Sequence, residues 1–468
     1  MFKSFKRFTL KSITGLVFIS LFSIAPVFGQ EDEENNDSDS EFAVFLKNKR
    51  ALSEKDLKNK KTGHYFTALP LANSDPDNGF GYGARVFYFY NGNDDSTLFR
   101  YTPYYHRIYA QYFATTKGRE YHTINWDAPY FMSTKFRLRS FILYDKNINA
   151  NYFSQGSRTL SALTTPGGTS YAKYADYNTD LRGITAGATN AKYNKFSYER
   201  PNWDASIERD LFYLGPGVLR PMFGLNFGKV TVSDYTNSTV DVDGTNATQN
   251  QTLLNRDAAQ FGVTGYNGGW DNTIRLAMAY DSRDFEPDPN NGAFIEYMVE
   301  SSTKAWGSDF DYTRFTFSHK VYYSPFDEYD VVLAGRGVYS FYTGSVPFFS
   351  QNLIGQTEGN QEVLGSLRSL RGYKRNRFIG NATALVNLEI RYTFFTFSVL
   401  GQHFGLIIVP FLDIGRVFDS VSQTTLGNWQ KSYGAGFRIA WNQATIIMVD
   451  YGMSSEDAGL FINFNHIF

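Results

Sequence analysis

From about residue 64 to its last residue this chain is written in period two, with apolar and polar residues alternating through run after run. Successive side chains of a strand point to opposite faces, so each run has one apolar face and one polar face. In 385–394, Val386, Leu388, Ile390, Tyr392 and Phe394 share one face, and Asn387, Glu389, Arg391 and Thr393 share the other. The pattern recurs in 80–90 (Phe80, Tyr82, Ala84, Val86, Tyr88, Tyr90), in 314–321 (Phe315, Phe317, Val321 against Arg314, Thr316, Ser318, Lys320) and in 433–442 (Tyr433, Ala435, Phe437, Ile439, Trp441). A closing run sets Leu460, Ile462, Phe464 and Phe468 opposite Asn463 and Asn465. Alternation alone also fits a periplasmic β-sandwich. Full charges along whole polar faces suit a wet lumen better, and closure into a barrel leaves no open edge in lipid. Aromatic residues make up 18% of the chain, as expected where Tyr and Phe meet the membrane interface. At ~25 residues per strand and connection, about 400 residues give roughly sixteen strands. The expected fold is all-β, a transmembrane antiparallel barrel.

The amino-terminal region reads differently. Lys3, Lys6, Arg7 and Lys11 precede the short apolar stretch Ile13–Ala25 and a cleavage-like Val27-Phe28-Gly29, so residues 1–29 read as a secretory signal peptide; a membrane anchor is the alternative. Residues 30–62 read as an acidic, disordered periplasmic tether or one short helix, and 63–468 as the barrel. Residues 147–194 and 236–258, rich in Asn, Thr, Ser and Gly, suit extracellular loops. The chain has no cysteine, which excludes disulfides, thiolate metal sites, thiol nucleophiles and a lipoprotein anchor. A net charge of −1 gives no electrostatic case for nucleic acid.

Three residues combine on chemical grounds. Glu389 and Asp413 alternate with apolar neighbours and should face the lumen, and Arg371 lies in a long connection, 343–382, that can reach them. A planar guanidinium binds carboxylates bidentately and stays charged.

Several segments in 275–468 then resemble, in order, the Omp85 (bacterial surface antigen, D15) superfamily of outer-membrane barrels. Asp281-Ser282-Arg283-Asp284 followed by Pro287, Pro289 and Gly292 resembles its D-[TS]-R-D…P…G hairpin. Ala305–Asp309 resembles a segment leading into a strand in the translocation and assembly module subfamily. Leu370-Arg371-Gly372-Tyr373 resembles the [VIL]-R-G-[FY] of the loop that folds into the barrel. Asn387–Arg391, Phe411–Gly415 and Gly434–Arg438 resemble [NS]-L-E-x-R, F-x-D-x-G and G-x-G-x-R, and the closing Phe468 suits a barrel terminus. The resemblance implies a short form, since a periplasmic POTRA domain does not fit in residues 30–62. It implies that Arg371, with Gly372 and Tyr373, latches the loop to Glu389 and Asp413. It also implies a weak seam between first and last strands, expected between 79–90 and 459–468, where Gly79, Gly81, Gly83 and Gly459 weaken packing and Phe464 and Phe468 close the wall.

No nucleophile elbow, phosphate loop or H-E-x-x-H occurs, and the six His are scattered, so neither enzyme activity, cofactor nor metal is expected. Residues 284–290 resemble a calcium loop only faintly and read as a turn. Two functions remain open: insertion, assembly or translocation of outer-membrane proteins through the seam, or a non-catalytic scaffold barrel or passive pore. The expected partners are outer-membrane lipids, unfolded outer-membrane proteins and a periplasmic accessory protein, in the outer membrane of a Gram-negative cell.

Overall fold

A run with one charged and one apolar face is stable in lipid only if the charged faces of many such runs enclose one another. In the computed structural model of the chain this happens. It describes residues 41–468 except 48, 50, 53–56, 58, 59, 76, 77, 287, 327–329, 363, 366, 400, 401, 442–444 and 465. The expected signal peptide and most of the acidic tether lie outside the described residues. The chain divides into two compact units, Met1–Val44 and Phe45–Phe468; the described residues of the first are the start of a helix, α1 (Glu41–Lys47).

The main sheet of the second unit contains eighteen strands, two of which, Tyr213–Leu214 and Gly268–Trp270, are short additions to a longer neighbour. The other sixteen form the wall: β1 (His64–Asp75), β2 (Gly79–Tyr90), β3 (His106–Thr115), β4 (Arg119–Ala128), β5 (Phe136–Asn151), β6 (Lys195–Arg209), β7 (Gly217–Ser233), β8 (Thr273–Asp281), β9 (Gly292–Ser302), β10 (Tyr312–Phe326), β11 (Val331–Gly344), β12 (Ala382–Val399), β13 (Gln402–Phe418), β14 (Gln430–Trp441), β15 (Thr445–Ser454) and β16 (Ala458–Phe464). Each pairs antiparallel with the next, from β1–β2 to β15–β16. Among the described residues no ladder joins β1 to β16, so the barrel is nearly closed.

The seam therefore differs from the one expected. A strand precedes 79–90, and the edges are 64–75 and 458–464. In β1 both faces are largely apolar, with Phe66, Ala68, Pro70 and Ala72 on one and Tyr65, Leu69 and Leu71 on the other, so period two does not mark it. Its Pro70 cannot donate a ladder hydrogen bond, which suits an edge strand.

The wall is inverted relative to a soluble domain. Leu388, Ile390, Leu412, Tyr433, Phe437, Leu460 and Ile462 are exposed on the outside, whereas Glu296, Glu300, Arg314, Lys320, Arg336, Glu389 and Asp450 are buried within. Both chain ends of the wall lie at one rim. The long connections 152–194, 234–272 and 345–381 lie at the other, the extracellular rim of such barrels. These connections share a hydrophobic core, including Tyr152, Tyr177, Leu181, Leu254, Phe348 and Phe349, and roof that rim. Strands from two of them join in one small sheet through Thr248–Ala188 and Gln249–Thr189.

A charge on the outer face must enter lipid, while one on an exposed loop stays in water. Ile390→Arg should cost about 2–4 kcal/mol of membrane-folded stability. Leu426→Arg, in the connection 419–429 where Leu426 is 92% exposed, should change it by less than about 0.5 kcal/mol. Urea unfolding in lipid vesicles, read by the heat-dependent gel mobility of the folded barrel, measures both.

Candidate functional site: a guanidinium pinned inside the lumen

The 345–381 connection folds inward, and the register of β12–β15 builds its seat. Asn387, Asp413 and Ser432 are opposite one another on three consecutive strands. One step along, Glu389, Phe411, Gly434 and Gly452 form the next row, followed by Val409, Gly436 and Asp450. All these side chains face the lumen, so a carboxylate-rich patch surrounds a floor of glycines and one phenyl ring.

Arg371 enters this patch and is fully buried. Its Nε–H and one NH2 group donate to the two oxygens of Asp413 at 2.9 and 2.8 Å, a bidentate fork. Its other NH2 group donates to Glu389 at 2.9 Å and to Asp450 at 2.7 Å. The guanidinium carbon lies 3.3 Å from the centroid of the Phe411 ring, and the Arg371 main-chain N–H also donates to Asp413 at 3.2 Å. Gly452 permits the approach, because a Cβ there would sit 2.8 Å from the Arg371 Cβ. Gly372 has φ +101° and abuts the backbone of Met453. Tyr373 is buried, and its hydroxyl is 3.2 Å from both Gln430 Oε1 and Ser455 Oγ.

Three carboxylates around one arginine would leave the cluster anionic. Arg438 donates to Glu389 at 2.8 and 3.2 Å, with a longer contact to Asp450 at 3.4 Å, and Arg391 donates to Glu389 at 3.0 Å. Three guanidiniums thus face three carboxylates, and the buried charge closes. Asn387 links this cluster to a fourth arginine: it donates to Asp413 at 2.7 Å and accepts from Arg336 at 2.7 and 3.0 Å.

The same connection is tied at a second point. The Thr357 N–H and hydroxyl donate to Glu296 at 2.8 and 2.7 Å, and Glu358 accepts from Arg283 at 2.8 Å and Lys320 at 2.7 Å. Arg283 belongs to the 282–291 turn and also grips Asp281 through two 3.0 Å bonds. Asp284 accepts main-chain N–H groups from Phe285, Asn290 and Asn291 at 2.9, 2.9 and 3.1 Å and so shapes that turn, while Gly292 (φ +107°) leads into β9. Among the described residues no group of three or more His, Asp or Glu is placed to hold a metal ion.

The residues after β16 correct an expectation. Phe468 does not join Leu460 and Ile462 on the outer face. His466, Ile467 and Phe468 turn into the lumen and are buried. The Phe468 ring packs with Tyr322, Val332 and Met448, and Arg391 donates to the Phe468 main-chain oxygen at 2.9 Å. His466 Nδ1 meets Arg438, and its Nε2 lies 2.8 Å from Asp288 in the 282–291 turn. Phe464, at the end of β16, pairs with Ile447 in the β15 ladder.

The structure brings Arg371, Glu389 and Asp413 together, and it adds Asp450, Arg438, Arg336 and the inward tail, which no sequence motif joins to them. Parity alone puts Asp450 on the lumen face with Met448 and Gly452, and that signal was available.

The fold and site define a class: a transmembrane barrel whose longest inward connection is held by an arginine in the lumen. Family models place the chain within that class. One described as the Omp85 superfamily domain matches residues 105–459, and one described as a domain of unknown function, DUF5982, matches 42–105. The chain belongs to the Omp85 superfamily. It is similar in fold to CdiB from Escherichia coli, at 9% identity and TM-score 0.52, over 86% of this chain and 63% of that one. It is also similar to BamA from Haemophilus ducreyi lacking POTRA domains 1–3, at 12% identity and TM-score 0.47, over 87% of this chain and 70% of that one. Comparison with curated protein sequences gives no match.

Removing one member of a closed buried ion cluster strands the others. Arg371→Ala should destabilise the barrel by about 3–5 kcal/mol in urea. Arg371→Lys, which keeps the charge and loses the fork, should recover only part of this.

Acid should loosen the tail. Burial, together with Arg391 and Arg438 and only partly offset by Asp288, pushes His466 down to about 4. The docked imidazole therefore stays neutral where a free one, with a pKa of about 6.5, takes up a proton. Docking is at full strength above about pH 6.5 and weakens as pH falls toward 4. Hydrogen exchange in 459–468, corrected for intrinsic rates, should be faster at pH 5 than at pH 7.5.

Proposed function

We propose that this barrel works in the outer membrane as an insertion or assembly factor for other outer-membrane proteins, through the seam between β1 and β16. The observation that carries this reading is the missing ladder: fifteen neighbouring pairs of wall strands are hydrogen-bonded, whereas among the described residues no ladder joins the sixteenth pair, β1 and β16, although the two lie side by side. An exposed strand edge is a template for β-augmentation by an incoming strand. Membership of the Omp85 superfamily supports the same reading.

In this reading Arg371 is the loop latch. Held by Asp413, Glu389 and Asp450 on β12–β15, it stiffens the wall next to the seam, so that opening is confined to the β1–β16 edge. The protein acts without catalysis. Its partners are outer-membrane lipids and unfolded outer-membrane proteins, with a periplasmic accessory protein docking on the segment before β1. A passive pore is disfavoured, because charged networks and the inward connection occupy the lumen and the long loops roof one rim.

Depletion of the protein followed by quantitative outer-membrane proteomics tests the role. Loss of a set of other barrel proteins is expected, and a photo-crosslinker at Ala68 on β1 should capture members of that set. An unchanged proteome would reject assembly in favour of a scaffold.

A further inference from the structure

Among the described residues no ladder joins β1 to β16, so one edge of β16 is left to other contacts. Its one ladder among the described residues is with β15, and β16 is seven residues long, shorter than the other fifteen wall strands. The residues that follow it are bound far more extensively than the strand edge. His466 contacts Arg438 on β14 and Asp288 in the 282–291 turn. The Ile467 main-chain oxygen is 3.5 Å from Arg336 on β11, and Arg391 on β12 donates to that of Phe468. The Phe468 ring lies beside the Arg336 and Arg391 guanidiniums, with carbon-to-centroid distances of 5.1 and 5.3 Å, and near Tyr322 on β10.

These partners lie on strands two to six places from β16. The 282–291 turn adds an anchor across the lumen, because Glu286 in it accepts from Arg137 on β5 at 3.1 and 3.2 Å. Neutral His466 fits its two neighbours as an Nε2–H tautomer, accepting from Arg438 and donating to Asp288.

We propose that residues 466–468 are a seam clamp: docked in the lumen, they tether β16 to the wall, and their release is the threshold for parting β16 from β1. The clamp rests on the seam reading above but concerns motion of the barrel alone. It couples the D-S-R-D turn to the seam, since Asp288 is the turn's direct hold on the tail. A segment entering the lumen from the β16 rim would compete with Phe468 for its place beside Arg336 and Arg391, and so would open the seam by displacement.

The test uses the full-length protein. The chain has no cysteine, so Ala68→Cys and Leu460→Cys, both on outward-facing positions of the seam strands, accept one spin-label pair without background. In lipid nanodiscs at pH 7.5 and without client, the otherwise unaltered pair should give one narrow, short distance. Adding His466→Ala or Phe468→Ala should raise the population at longer distances about tenfold, the factor for losing about 1.4 kcal/mol of tail binding. Asp288→Asn changes only the turn's side of the contact and keeps the test open if the tail variants fail to fold, as judged by gel mobility. Distances in folded variants that match the unaltered pair would overturn the clamp. A seam freed in these variants, together with an unchanged proteome on depletion, would keep the clamp and reject the assembly role.

Discussion

A guanidinium shut away from water is tolerable only when anions surround it and their surplus charge is cancelled in turn. Arg371 meets that requirement through three carboxylates on β12, β13 and β15, and Arg391 and Arg438 balance them. Each carboxylate comes from a separate strand, so the cluster exists only when the register across four strands is right. A one-residue slip would turn Glu389, Asp413 or Asp450 into lipid. The ion cluster is weak evidence for net stability, but it specifies one register and one path for the 345–381 connection.

That inward charge explains the outward one-sidedness of the wall. Lipid accepts apolar side chains far more readily than charges, so most charges in the middle of the strands are turned inward, where they need partners, while Lys229 and Lys431 are exposed nearer strand ends. The inward connection supplies several: Arg371 for β12–β15, Glu358 for Lys320 and Arg283, and Thr357 for Glu296. The lumen is filled because its walls need neutralising. The seam is the exception to this tight pairing: among the described residues the β1 and β16 edges lack the ladder that every other wall strand has on both sides, and the inward tail joins β16 to the lumen networks.

Much of this was legible in the sequence. Period two gave the all-β class, the approximate strand number and the inward faces of β10, β12 and β14. Parity placed Glu389 and Asp413, and the R-G-Y segment pointed to Arg371. Two features were not legible. In β1, apolar residues on both faces erase the alternation, so period two points to the second wall strand as the first edge. Beyond β16, parity projected Phe468 outward along a strand that had already ended. Only the positions of Arg336, Arg391 and Asp288, distant in sequence, reveal where that tail goes. Asp450 lay between these cases, since its face was readable but its partner was not.

Hydrogen exchange of the 367–378 stretch in the unaltered, membrane-folded protein probes the pinned loop most directly. A surface loop exchanges within seconds to minutes, whereas a segment fixed by a buried ion cluster opens only with the structure that holds it. Protection close to that of β12 and β13, lost together with theirs on denaturant addition, is the predicted result. Rapid exchange of 367–378 while those strands stay protected would contradict a connection anchored through Arg371.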